Sequence, residues 1–304
     1  MENKRFEEML QAGVHFGHLK RKWNPAMAPY IFAEKKGIHV IDLNKTAAKL
    51  EEAGAAMRQI AKSGKKILFV ATKKQAKEIV AQAADAVNMP YVTERWSGGM
   101  LTNFATIRKA IKKMSNIDKM ATDGTFDNIS KRERLQITRQ REKLEKTLGS
   151  IADLTRIPSA IFIVDINKEH IAVAEAKKLG ITTFAMVDTN SNPNEVDFAI
   201  PANDDATKSI ETITNYITEF IKEGLSERKA DKDKADKEKE EEAKAEKAAA
   251  EKKEAAAAEK KAEEKVEAKA EAKEEKKAPK AEKKAEPKAE EASEEKEEEA
   301  EAKK

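Results

Sequence analysis

The chain has no cysteine, and aromatic residues make up only 5% of its 304 positions. Without thiols it has no disulfides, no thiolate zinc site and no thiol nucleophile, a composition that fits a reducing compartment. No apolar run approaches the ~18 residues that a membrane helix needs. The start, Met1-Glu2-Asn3-Lys4-Arg5, leads into a short amphipathic segment with acids inside it, unlike a signal-peptide core. No Gly-x-Gly-x-x-Gly follows a strand-like run, so the usual phosphate cradle of a dinucleotide enzyme is missing. Ser63-Gly64-Lys65-Lys66 precedes such a run, whereas a phosphate loop must follow one and open a helix. Together these absences predict a cytoplasmic protein with no membrane partner.

Large apolar side chains are missing from one long segment. From Glu227 to Lys304 the only one is Val266. Ordering a residue costs roughly 1–2 kcal/mol of backbone entropy, and alanine methyls between lysines and glutamates cannot offset that. Residues 227–304 therefore read as a low-complexity charged tail, a fluctuating helix or coil interrupted by Pro279 and Pro287. Residues 1–226 hold 35 basic and 28 acidic side chains, a net of +7. Within them, residues 1–146 carry 29 and 16 (+13), while residues 147–226 carry 6 and 12 (−6). The near-neutral total hides a basic part that should seek polyanions.

What is present before Ser226 alternates as parallel sheets require. Ile67–Ala71, Tyr91–Thr93, Ala160–Val164, Thr182–Val187 and Phe198–Ile200 are strand-like, separated by helical patterns over Lys74–Val87, Lys168–Leu179 and about Asp205–Lys222. The spacing predicts an α/β fold, a doubly wound parallel sheet of about five strands. Ahead of it lie a first helix near Phe6–Gln11, an irregular loop over Val14–Ala28, a β-hairpin over residues 30–41 with Glu34-Lys35-Lys36-Gly37 as its connection, and a helix over Asn44–Lys62. A second periodicity interrupts the alternation: Phe104, Ile107, Ile111 and Met114, then Ile137, Leu144, Leu148 and Ile151, form two helical stripes that can pack as an antiparallel hairpin. Its turn is expected at Thr122–Asn128. The predicted organisation is an α/β/α body over residues 1–103 and 152–226, an inserted basic helical hairpin over 104–151, and the tail.

The most informative segment is Arg95-Trp96-Ser97-Gly98-Gly99-Met100-Leu101-Thr102-Asn103-Phe104, which opens that hairpin. Its two glycines permit a tight turn, and Arg95 and Trp96 supply a planar cation and a stacking ring. From Arg95 to Lys146 there are 13 Lys/Arg against 6 Asp/Glu, a local net of +7. Arg108, Lys109, Lys112, Lys113, Lys131, Arg132, Arg134 and Arg139 would line the exterior of a protruding cationic arm, with Asn103 at its root. A second candidate RNA contact is Lys20-Arg21-Lys22-Trp23-Asn24 in the N-terminal loop. His15-x-x-His18 in that loop could offer two ring nitrogens to a metal, but no third histidine or thiolate lies nearby in sequence, and the surrounding cations suit phosphate better. Asp188, Asp204 and Asp205 fall at or just past strand ends, where doubly wound sheets bind ligands, and could hold Mg²⁺; otherwise they serve as turn and cap residues. No other cofactor is expected. Two functions fit: an RNA-binding structural protein with no catalytic role, or a nucleotide- or metal-dependent enzyme using the aspartate crevice.

Five blocks resemble the bacterial small-subunit ribosomal protein S-two family. They are Gly13-Val14-His15-Phe16-Gly17-His18, Trp23 to Ile31, Gly37 to Leu43, Arg95 to Asn103, and the pair Asp188 to Pro193 with Ile200 to Ala206. The resemblance covers residues 5 to about 224 and implies an α/β/α domain with an inserted helical hairpin. It further implies a structural role in the small ribosomal subunit, contact with small-subunit rRNA and with other ribosomal proteins, and help in seating the large S-one protein that captures mRNA. The tail extends past the family's usual end.

Overall fold

A computed structural model gives the architecture and describes residues 2–124 and 130–234, all within the unit Met1–Asp236. The expected turn at 122–128 and the tail from 227 lie partly outside the described residues. In chain order the first elements are α1 (Glu2–Gln11), β1 (Phe16–Leu19), β2 (Ile31–Lys35), β3 (Ile38–Ile41) and α2 (Leu43–Lys62). Then come β4 (Ile67–Val70), α3 (Lys77–Ala86), β5 (Tyr91–Val92), α4 (Phe104–Thr122) and α5 (Lys131–Leu148). The last are β6 (Ala160–Val164), α6 (His170–Leu179), β7 (Thr182–Val187), β8 (Phe198–Pro201) and a helix α7 over residues 207–234.

The expected five parallel strands form one sheet in the order β5-β4-β6-β7-β8. Every residue of β4 and β6 is buried, as in a sheet covered on both faces. Alternation splits the core: Ile67, Phe69, Phe162 and Phe184 pack with residues of α1, α2, α3 and α7, such as Met9, Met57, Val80 and Ile217. Leu68, Val70, Ile161 and Ile163 face Trp96, Leu101, Leu148, Ile151 and Val173. The strand order reverses between β4 and β6, so the ligand crevice of such a sheet falls at their carboxyl ends.

The region before β4 differs from expectation in two ways. Val14–Ala28, expected as irregular loop, contains β1, which pairs with β3 to make a three-stranded antiparallel sheet in the order β1-β3-β2. Its pattern is hidden because Gly17 breaks the apolar alternation for a tertiary reason. A Cβ there would lie 2.6 Å from Thr189 Cγ2, so glycine lets the strand pass close to the loop after β7. The connection between β2 and β3 is two residues, Lys36 and Gly37, with φ of 54° and 77°, rather than four. Such a two-residue turn matches the twist of the strands it joins.

The hairpin forms as α4 and α5. Met114, Ile117, Leu148 and Ile151 are buried, and Phe104, Ile107, Ile111 and Leu144 pack half-buried against the second core cluster. Arg141 joins the helices, pairing with Asp118 of α4 and, at 2.7 Å, with Glu145. Farther out, Leu135 and Met120 are exposed, so the root of the hairpin is what the body anchors.

The final helix, expected to end near Lys222, runs on to 234. Its extension lies against α2: Lys62 Nζ is 3.1 Å from Glu227 and 3.4 Å from Asp231, and the Arg228 guanidinium lies over Gly64.

Candidate RNA interface and acidic crevice

The crevice at the strand ends is built from four strands. Asp165 follows β6, Asp188 follows β7, Asp204 and Asp205 follow β8, and Lys73 follows β4. Lys73 Nζ lies 2.6 Å from Asp205 Oδ1, 2.9 Å from Asp204 Oδ1 and 3.4 Å from Asp165 Oδ2. Burial alone would depress its pKa, but the carboxylates of Asp204, Asp205 and Asp165 outweigh that and raise it. Its ammonium takes the place expected for Mg²⁺ between Asp204 and Asp205. No sequence signal distinguished Lys73, since Lys73 and Lys74 look alike until the fold turns one inward.

β1 closes the crevice. His18 Nδ1 is 2.7 Å from Asp188 Oδ2, and its Nε2 is 3.3 Å from Asp205 Oδ2. The hydrogen bond to Asp188 raises the imidazole pKa against the effect of burial. His18, Asp188 and Asp204 offer one ligand atom each within 4.8 Å of one another, and Asp204 Oδ2 is buried with no hydrogen-bond partner among the described residues. An imidazole with two carboxylates suits a zinc-like ion, whereas Mg²⁺ prefers oxygen alone. Of the three aspartates expected at the strand ends, Asp188 and Asp204 thus lie together with His18, while Asp205 faces Lys73 and His18. His15 does not join it, its ring packing on Phe16 at 4.0 Å.

The expected RNA contacts divide. Lys20, Arg21 and Lys22 form an exposed 3₁₀ turn, with Lys20 paired to Glu34 at 2.7 Å. Trp23 is half-buried, its ring 5.2 Å from that of His39. Asn24 works inside the fold: its side chain accepts from the Ala26 N–H at 2.9 Å and its own N–H donates to Thr189 O at 2.8 Å. On the hairpin, Arg95, Asn103, Arg108, Lys109, Lys112, Lys113, Arg132, Arg134 and Arg139 are all exposed. Arg108 also donates to Thr155 O at 2.7 Å, and the Asn103 side chain accepts from the Thr106 hydroxyl at 2.8 Å. Lys109, Lys112, Lys113, Arg132 and Arg139 make no ion pair among the described residues.

Trp96 is the correction. Expected as a stacking ring beside Arg95, it is only 6% exposed and belongs to the second core cluster, so no base can reach its face. Its Nε1–H donates to Glu175 Oε1 at 3.2 Å. That carboxylate, on α6 and itself buried, also receives the amides of Gly99, Leu101 and Thr102 at 2.7, 2.9 and 3.1 Å. The glycine-rich turn therefore bends toward the protein's own acid. Glu175 gave no signal in sequence, standing as one charged residue in an amphipathic helix.

A sheet crevice that holds its own lysine and an arm rich in exposed cations are thus the two prominent features of the described residues. Comparison with known proteins supplies the family. A family model described as ribosomal protein S2 matches residues 9–224. The chain is 71% identical over 232 residues to small ribosomal subunit protein uS2 of Parabacteroides distasonis, covering 76% of this chain and 84% of that protein. It is 68% identical over 232 residues to the protein of that name from Bacteroides thetaiotaomicron, covering 76% and 84%, and 68% identical over 227 residues to that of Porphyromonas gingivalis, covering 75% and 81%. A match that spans the body and the hairpin together, with relatives at this identity, means that the chain belongs to the ribosomal protein S2 family.

Proposed function

We propose that this chain is a structural, non-enzymatic component of the small ribosomal subunit that binds rRNA through the exterior of its helical hairpin and through the Lys20–Lys22 turn. It works in the cytoplasm, within the ribosome, in subunit assembly and translation. The observation that supports the RNA contact is the set of exposed cations on α4 and α5, Lys109, Lys112, Lys113, Arg132 and Arg139, without carboxylate partners among the described residues; a merely solvated face would intersperse the signs. The enzyme reading has less support, because Lys73 fills the switch-point crevice. The family resemblance adds a protein partner, the large S-one protein, whose seating this chain would assist.

Changing Lys109, Lys112, Arg132 and Arg139 to glutamate spares both apolar stripes and hence the fold. Removing one cation–phosphate pair lowers the slope of log affinity against log salt by about 0.7 to 0.9. The variant should bind a small-subunit rRNA transcript more weakly and with a visibly flatter salt dependence, and subunits reconstituted with it should hold less of the S-one protein. Unchanged affinity and slope in a folded variant would remove the arm from the RNA interface.

A second reading concerns a bound cation, favoured by the orphaned Asp204 oxygen. If His18, Asp188 and Asp204 hold a zinc-like ion, the melting temperature of the protein rises with Zn²⁺ more than with Mg²⁺, and Asp204→Asn abolishes the gain. Equal melting with and without either ion leaves the residues as a compensated charge cluster.

A further inference from the structure

The hairpin leaves the body through the segment between β5 and α4, whose apolar side chains Trp96, Met100 and Leu101 pack in the core and whose polar groups converge on one side chain. Five donors drawn from residues 96–102 converge on the Glu175 carboxylate. Trp96 Nε1–H and Gly99 N–H reach Oε1 at 3.2 and 2.7 Å; Leu101 N–H, Thr102 N–H and the Thr102 hydroxyl reach Oε2 at 2.9, 3.1 and 3.2 Å. An ionised carboxylate has about four lone-pair sites, so this one is saturated. Gly99 adopts φ +84°, a left-handed conformation that turns its neighbours' amides the same way. Converging amides of this kind make an anion cradle. Here the anion is the protein's own, so the loop holds no RNA phosphate.

We propose that Glu175 is the positioning residue of the RNA-binding arm. This rests on the reading that the arm binds rRNA. Phe104, the first residue of α4, follows Thr102 by two positions, so the carboxylate fixes the direction in which the helix leaves the body. α4 has 19 residues, about 28 Å of helix, and a tilt of about 10° at its root moves its far end by roughly 5 Å. That displacement falls on Arg132 and Arg139, which the pairing of Arg141 with Asp118 places at the outer end of the arm, and takes them out of register with a phosphate backbone that the N-terminal turn also contacts; Lys109 and Lys112, nearer the root, move by only about 1 to 2 Å. Glutamine cannot substitute, because its amide NH₂ would face either the Trp96 and Gly99 donors or those of Leu101 and Thr102.

The test is a double-mutant cycle on the full-length protein, combining Glu175→Gln with the four-charge arm variant and measuring binding to a small-subunit rRNA transcript. Glu175→Gln alone should fold, by its circular dichroism spectrum, and bind about tenfold more weakly; in the charge-reversed background the same change should cost nothing further. Because the chain has no cysteine, Gln136→Cys and Glu211→Cys can carry spin labels. Their distance distribution should broaden when Glu175 is replaced. Should Glu175→Gln not fold, Gly99→Ala strains the same loop from the other side and should give the same broadening and the same weakening. Parental binding by a folded Glu175→Gln or Gly99→Ala protein, or a weakening of equal size in the charge-reversed background, overturns the positioning role and leaves the arm reading intact. Parental binding by the arm variant itself overturns the reading on which the proposal stands.

Discussion

At the residue scale, the same side-chain types play opposite parts according to what the fold places beside them. Trp96 and Arg95 are adjacent, yet one is core and the other surface. The cations of the arm were legible because charge patterning is a local signal. Lys73 and Glu175 were not, because their meaning comes from distant partners, such as Asp204 of Lys73 at |i−j| = 131 and Trp96 of Glu175 at |i−j| = 79. Glu175 also makes acid stability predictable. Burial works to raise its pKa, but the amides of Thr102, Leu101 and Gly99 and the Trp96 N–H outweigh that and lower it from the ordinary value of 4.5. Its stabilisation is then fully present above 4.5 and is lost as pH falls through the lower folded-state value, because in that window the unfolded chain takes up the proton first. Melting temperature measured from pH 7 down to 3 should show a deficit in Glu175→Gln that is largest at neutral pH and narrows below 4.5. A deficit constant over the whole range would mean that the carboxylate charge does not stabilise the loop.

At the scale of elements, period and length were enough to locate the parallel strands β4, β6 and β7, whose apolar runs have no competing reading. The hairpin helices were legible for the same reason, as stripes at helical spacing. β1 was not, since a four-residue strand with a glycine and a histidine inside carries too little alternation to be separated from loop. The helical stretch past Lys222 was missed differently: Ala, Lys and Glu favour helix without marking a boundary, and the described part of it lies against α2. Chain truncation measures those contacts. A protein ending at residue 234 should melt with the full-length chain, whereas one ending at 226 lacks Glu227, Arg228 and Asp231 on the face of α2 and should melt lower by a few degrees. Equal melting of the two truncated forms would show that residues 227–234 add nothing to the body.

At the scale of the whole molecule, what matters is the division of charge, +13 over residues 1–146 and −6 over residues 147–226. A protein so divided approaches a polyanion with one part of its sequence and leaves the other to solvent or to proteins. Lysine acylation reads this division directly, because the reagent needs a free, neutral amine. Lys22, Lys109, Lys112 and Lys113 are exposed on the basic elements, while Lys177, Lys178 and Lys208 are exposed on α6 and α7. Lys73, held by three carboxylates that raise its pKa, should react slowly with or without RNA and so serves as an internal control. On binding small-subunit rRNA, the first group should become protected and the second should keep its reactivity. The protection should fade together across the first group as salt is raised, since phosphate contacts share one counterion-release dependence. Protection centred on Lys177, Lys178 and Lys208 would place the RNA on α6 and α7 and would sink the assignment of the hairpin as the principal contact.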